Sequence, residues 1–202
     1  MNSRATSHST SRIHRLVCLV ACLLVSGCAS IDASVPSAAA LKSPPPNAPS
    51  IILSAVKDAR NTEAAGGVGA ASIQLKSGFD EYIGNSFANG LSSSGYAVSS
   101  AAAKSQKPGA KTVVVTVESA HIASFDAIME PAKAQVSIAV QVFGESQSPV
   151  YAHSYTGDYS ETLGIHTQSG YEEHAGKVFA IAADQAVNKA IADPSFQRAI
   201  KQ

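Results

Sequence analysis

Few residues in this chain have types and spacings that could do chemistry. Among its 202 residues are three cysteines and six histidines. His166 and His174 flank Glu172 and Glu173, which are metal-ligand types. The stretch His-Thr-Gln-Ser-Gly-Tyr-Glu-Glu-His lacks the His-x-x-x-His spacing that sets two imidazoles on one helix face. Glu172, Glu173 and His174 read more simply as cap and solvent residues of a first helical turn, so no metal is expected. Serines are plentiful, yet no Gly-x-Ser-x-Gly elbow presents one as a nucleophile. Residues 66–72, Gly-Gly-Val-Gly-Ala-Ala-Ser, lack the last glycine of the dinucleotide fingerprint and the Lys-Ser/Thr of a phosphate loop. They read as a loop, and no cofactor is expected. Asp58 and Arg60 stand at the end of the first strand of the main domain and read as a turn that ends it, the alternatives being an exposed ion pair or a partner contact. The chain is not expected to be an enzyme.

The cysteines carry chemistry of another kind. Cys18 and Cys22 lie inside the apolar run from Leu16 to Val25. At about ten residues the run is half of what a membrane-spanning helix needs. Arg4, Arg12 and Arg15 precede it, and Ser26 and Gly27 close it. A basic start, a short apolar stretch and a small-residue exit describe a secretory leader over residues 1–27. The order Val25-Ser26-Gly27-Cys28 resembles the bacterial lipobox. That resemblance implies cleavage before Cys28, whose sulfur carries a diacylglycerol; palmitate on the new N-terminus fits the same implication. Ala29, not Asp, follows the cysteine, which under the sorting rule of enteric bacteria implies the outer membrane, facing the periplasm. With the leader gone and Cys28 acylated, no thiol remains for a disulfide, a metal thiolate site or a nucleophile.

Loss of the leader also resets the charge. The full chain has fifteen basic and fifteen acidic residues. Removing three arginines and no acid leaves a mild, scattered excess of acid. No basic stripe invites nucleic acid, and no polybasic patch invites anionic lipid, so attachment falls to the acyl chains. Residues 28–49 are rich in Ala, Ser and Pro and include Pro44-Pro45-Pro46. They read as a flexible, partly polyproline tether that lets the domain stand off the bilayer.

Positioning falls to a single domain over residues 50–202, large enough to bury roughly two thirds of its unfolded surface. Ile51 and Leu53 open it as a buried strand ending near Asp58. A glycine-rich loop follows, with a short edge strand from Ala71 to Leu75. Phe79, Ile83, Phe87 and Leu91, with Tyr82, make one apolar helix face, with Ser77 and Asp80 as its capping box. Tyr96–Ser100 is a short strand. Three longer strand runs follow as a meander. In the middle one, Val136, Ile138, Val140 and Val142 alternate with Gln135, Ser137, Ala139 and Gln141. In the last, Tyr151, His153 and Tyr155 share a face. A second capping box, Ser169 with Glu172, precedes an alanine-rich helix from Tyr171 to about Ala192. Asp193-Pro194 starts a short final helix. The expected class is α+β, in the order β-α-β-β-β-β-α-α, with a mainly antiparallel sheet and two main helices on one face.

The lipobox, the strand ending Val-Lys-Asp-Ala-Arg, the helix closing Ser-Ser-Ser-Gly-Tyr-Ala-Val, the meander and the final Val-Asn-Lys-Ala-Ile-Ala-Asp-Pro-Ser-Phe-Gln-Arg resemble the YajG-type family of bacterial lipoproteins. The resemblance implies the same α+β fold and brings no catalytic or binding residues to carry over. The expected function is a non-enzymatic, lipid-anchored envelope protein that binds another protein or a polymer. The alternative is a lipid- or small-ligand-binding accessory of an envelope transport system. The alternating strand supplies a test. Ile138→Asp buries an unpartnered charge and should lower the melting temperature steeply, whereas Gln141→Asp on the other face should barely move it. Equal losses would overturn the face assignment.

Overall fold

The alternating run Val136-Ile138-Val140-Val142 is the centre of the fold: all four side chains are fully buried. Their strand pairs on both sides, so one of its faces must be covered. The computed structural model describes residues 30–33, 35–36, 43, 47–60, 64–68, 71–75, 78–100, 109–123, 131–145, 148–162 and 167–201.

Nine strands and three helices are assigned among the described residues. The strands are β1 (Ser30–Asp32), β2 (Ser50–Leu53), β3 (Lys57–Asp58), β4 (Ala64–Val68), β5 (Ala71–Gln74), β6 (Ala97–Ser100), β7 (Lys111–Ala123), β8 (Pro131–Phe143) and β9 (Pro149–Thr162). The helices are α1 (Phe79–Ser93), α2 (Gln168–Ala192) and α3 (Pro194–Lys201). The main sheet runs β6-β2-β7-β8-β9, with β3 also paired to β7. The meander β7-β8-β9 is antiparallel, as expected. The short strands are not: β2 runs parallel to both β6 and β7, and β3 runs parallel to β7. The sheet is therefore mixed and mainly antiparallel. From β2 onward the expected order holds, with short strands added.

A second sheet, β1-β5-β4, departs from expectation. Part of the glycine-rich loop is strand β4, antiparallel to β5. Gly66 makes this possible with φ of 143°, in the region that suits glycine; a Cβ there would meet the Ile122 carbonyl oxygen at 2.5 Å. The start of the expected tether is also ordered. Ser30–Asp32 pairs in parallel with β5, and the Ala33 N–H donates to the Gln74 carbonyl at 2.8 Å. Strand β5 had an open edge, and a short extended segment satisfies its backbone groups.

The helices cover the inner face. Phe79, Ile83, Phe87 and Leu91 of α1 are buried, with Tyr82 nearly so. Phe79 meets Phe179 of α2 edge to face at 6.1 Å, and Phe87 meets Phe196 of α3 at 5.9 Å. The caps of both helices differ from expectation by a residue or two, and α2 starts at Gln168, three residues before the expected Tyr171. Gly78, with φ of 98°, is the N-cap of α1 and makes no side-chain cap bond; Ser77 lies outside the described residues. Thr167, not Ser169, caps α2: its extended backbone turns the hydroxyl to accept from the Gly170 N–H at 3.2 Å.

Ala175, Val178, Ala182 and Ala186 of α2 are fully buried. Small side chains let this helix approach β9 closely, and Gly157 is where it lands. A Cβ at Gly157 would overlap the Ala182 carbonyl oxygen and lie 2.7 Å from the Ala186 nitrogen. Backbone atoms cannot swing aside. Gly157→Ala should therefore destabilise the protein by about 1–3 kcal/mol through overpacking, measured by denaturant melts. The exposed Ser154→Ala on the same strand serves as the near-neutral reference. A melt unchanged by Gly157→Ala would show that α2 is not seated there.

Candidate functional site

The residues singled out in the sequence are scattered by the fold. Cys28 and His166 lie outside the described residues. His121 and His153 are exposed, while His174 is buried. Among the described residues no three His, Cys, Asp or Glu side chains group in a way that could hold a metal ion.

Asp58 and Arg60 do come together. The Arg60 Nε lies 2.9 Å from Asp58 Oδ1, and its Nη2 lies 2.6 Å from Oδ2. This two-pronged bond holds the Asp58 carboxyl below the usual carboxylate range. Arg60 is not a free surface cation. Its side chain is 7% exposed, its guanidinium lies 5.5 Å from the Phe79 ring centre, and Nη2 reaches the Leu75 carbonyl at 3.4 Å. Arg60 thereby fastens the chain just past β3 to the residue that follows β5 and to the first residue of α1. What it offers a partner is the outer side of Asp58, 38% exposed.

Two further polar clusters stitch β9 to the helices. Glu161 on β9 bonds Lys177 at 3.0 Å and lies 3.7 Å from the His174 Nε2. Burial pushes the His174 imidazole down, although Glu161 pulls it the other way. At the far end of the strand, the Tyr155 and Tyr151 hydroxyls donate to Asp193 Oδ2 at 2.5 and 2.9 Å. The Ser195 N–H donates to Oδ1 at 2.6 Å, so Asp193 also caps α3. The bond from Tyr155 leads the effects that lower the Asp193 carboxyl to about 2. Both tyrosines are pushed up, chiefly by burial. Their alignment on one face was legible in the sequence; their shared partner, 38 residues on, was not.

The feature best suited to hold something lies elsewhere. A groove of about 630 Å³ opens beside α1, at the carboxyl ends of β2 and β6. Leu53, Val56, Ala88 and Val98 give it apolar walls. Glu81, Gly84, Asn85 and Ala88 line one side because they recur every three or four residues along a single face of α1. Gly84 keeps that face low: a Cβ there would press on Val56 at 3.2 Å. Asp80 and Glu81 stand exposed at the rim, and among the described residues no basic side chain lines the groove. Its size and lining fall in the range of ligand sites. Sequence reasoning missed it. The available signal was the small and polar residues Gly84 and Asn85 on a face of α1 that is neither core nor fully solvated.

Neither a protein-family model nor a curated protein matches the chain. Solved structures of bacterial proteins are similar in layout. Protein XCC0632 from Xanthomonas campestris is 12% identical with a TM-score of 0.49, over 86% of this chain and 99% of that one. A minor lipoprotein from Acinetobacter baumannii is 11% identical at 0.49, over 73% and 92%. A lipoprotein of Caulobacter crescentus, so named provisionally, is 12% identical at 0.44, over 68% and 90%.

The Asp193 cluster yields a pH prediction. Its folded carboxyl titrates near 2, below the roughly 3.9 of an unfolded aspartate. Its contribution is then complete above about pH 4 and is lost as pH falls toward 2. Asp193→Asn should lower the melting temperature at pH 6, and the gap from the unaltered protein should narrow on acidification. A gap that stays constant from pH 6 to 2 would show that the bonded carboxylate is not what holds β9 to α3.

Proposed function

We propose that this protein is a non-enzymatic, lipid-anchored module of the bacterial envelope that works by binding. The groove beside α1 is the observation that carries the reading: it is apolar, sizeable and rimmed by acid. The polar clusters found in the fold support the same reading. Tyr82–Asp184, Glu161–Lys177 and Tyr155–Asp193 join one element to another, and Arg60, held by Asp58, reaches Leu75 and Phe79, which is structural work. The anchor is Cys28, acylated after cleavage behind Gly27, and Ala29 directs the protein to the outer membrane facing the periplasm. In this reading the chain sits with the YajG-type lipoproteins, and its partner is an envelope protein or polymer. The outer side of Asp58 adds a secondary contact. A second reading, a lipid- or small-ligand-binding accessory of a transport system, draws on the same groove, whose volume also suits a small ligand.

Mass spectrometry of the protein purified from envelopes should find an acylated Cys28 at its N-terminus, and Cys28→Ser should accumulate as uncleaved precursor. An N-terminus at any other residue overturns the anchor. A secreted, anchor-free form at equal abundance should fail to restore a deletion strain's envelope phenotype. Full restoration would replace the tethered module with a diffusible binding activity.

A further inference from the structure

The groove and the open edge of the main sheet are one feature. Strand β6 ends the sheet on that side: among the described residues only β2 pairs with it. The Ala97 N–H donates to the Pro49 carbonyl at 2.9 Å, so the amide of Ala97 turns toward β2. Backbone direction alternates along a strand. The amides and carbonyls of Val98 and Ser100 therefore turn outward, to the unpaired edge. Register sets Val98 opposite Ile51 and Ser100 opposite Leu53. Ile51 and Leu53 belong to the core beneath the helices, so the side chains of Val98 and Ser100 face the helix layer too. Both line the groove. The result is an edge whose backbone groups are unpaired among the described residues, beside a trough whose floor is apolar and whose far wall is one face of α1.

We infer that this trough takes an extended peptide segment of a partner protein, added as a strand along β6 and carrying a lysine or arginine. This deepens the binding-module reading and rests on it. Strand addition supplies affinity through main-chain hydrogen bonds and specificity through pockets for alternate side chains. Here every second side chain of the added strand enters the trough between Val98, Leu53 and Ala88. Charge chooses the sequence. Asp80 and Glu81 stand at the rim, and among the described residues no basic side chain lines the groove to offset them, so a cationic side chain is drawn in and an acidic one repelled. An acyl chain would use the apolar floor but would leave the edge amides of Val98 and Ser100 unused. A strand uses both.

The test uses the full mature chain in detergent and a displayed library of random heptapeptides. Selected peptides should alternate apolar residues and carry Lys or Arg. One of them, synthesised with a fluorophore, should bind in an anisotropy titration. Glu81→Lys, a change at an exposed position, should weaken it about tenfold. Asn85→Trp should fill the trough and abolish binding. Ser100→Pro should also abolish it, because proline removes an outward amide while sparing the ladder to β2. Circular dichroism of each variant should match the unaltered protein. Selection that enriches nothing, or peptides lacking alternation or a basic residue, overturns the inference. So does binding insensitive to Ser100→Pro. Dodecylammonium chloride separates the two readings: if it binds in a way lost in Asn85→Trp and kept in Ser100→Pro, while no peptide binds, strand addition fails. The binding-module reading then stands with a small amphiphile as occupant. If neither probe binds, both fall.

Discussion

The close approach of an alanine-rich helix to a glycine in a strand governs the architecture. Helix α2 can rest on β9 only because Ala182 and Ala186 meet Gly157 without an intervening Cβ. That distance sets how deep the core is. It places Phe179 where it meets Phe79, and so decides where α1 sits. It also lets Gln185 and Lys189 reach over the sheet edge. There the Asp158 N–H donates to the Gln185 side chain at 3.3 Å, and the Lys189 ammonium donates to the Thr156 carbonyl at 2.6 Å. Strand β9 is the long outer strand, and such cover is how proteins blunt an edge that would otherwise pair with another chain.

The two edges of the main sheet are therefore treated differently. On the β9 side, helix side chains bond the Asp158 N–H and the Thr156 carbonyl, and two polar clusters bind the strand to α2 and α3. On the β6 side, α1 stands back. Tyr82 and Ser86 bond Asp184 of α2, each at 2.8 Å, so α1 is drawn toward α2 and away from the far edge. The groove is the space this leaves.

Much of this was legible in the sequence where the chain's own periodicity reports its burial. Val136 through Val142 alternate because one sheet face is core, and Phe79 through Leu91 recur because one helix face is core. The order of the longer elements from β2 to α3 followed from these patterns, while the short strands β3 and β4 did not. What stayed hidden depends on distant partners. Residues 64–68 resemble a loop by composition, and only the β5 edge and the backbone of Ile122 make them a strand. The parallel pairing of β2 with β6 and β7 depends on how the chain returns through α1, which four-residue strands cannot encode. Asp58 and Arg60 were legible as a pair. The aromatic ring that buries Arg60 was not. The groove escaped for a similar reason: it is made of residues from α1, β2 and β6 that are unremarkable one at a time.

Strand β1 begins only two residues after Cys28. Two extended residues span no more than about 7 Å. If the acyl chains are on Cys28 as proposed, the proline-containing stretch lies beyond β1, within the fold's connectivity and not between bilayer and domain. The leash is then short. The domain would ride against the lipid headgroups with the β1 end of the small sheet inward and little freedom to tumble. Its groove would sweep a narrow zone at fixed height above the membrane. Partners would be chosen by how far they project as much as by sequence.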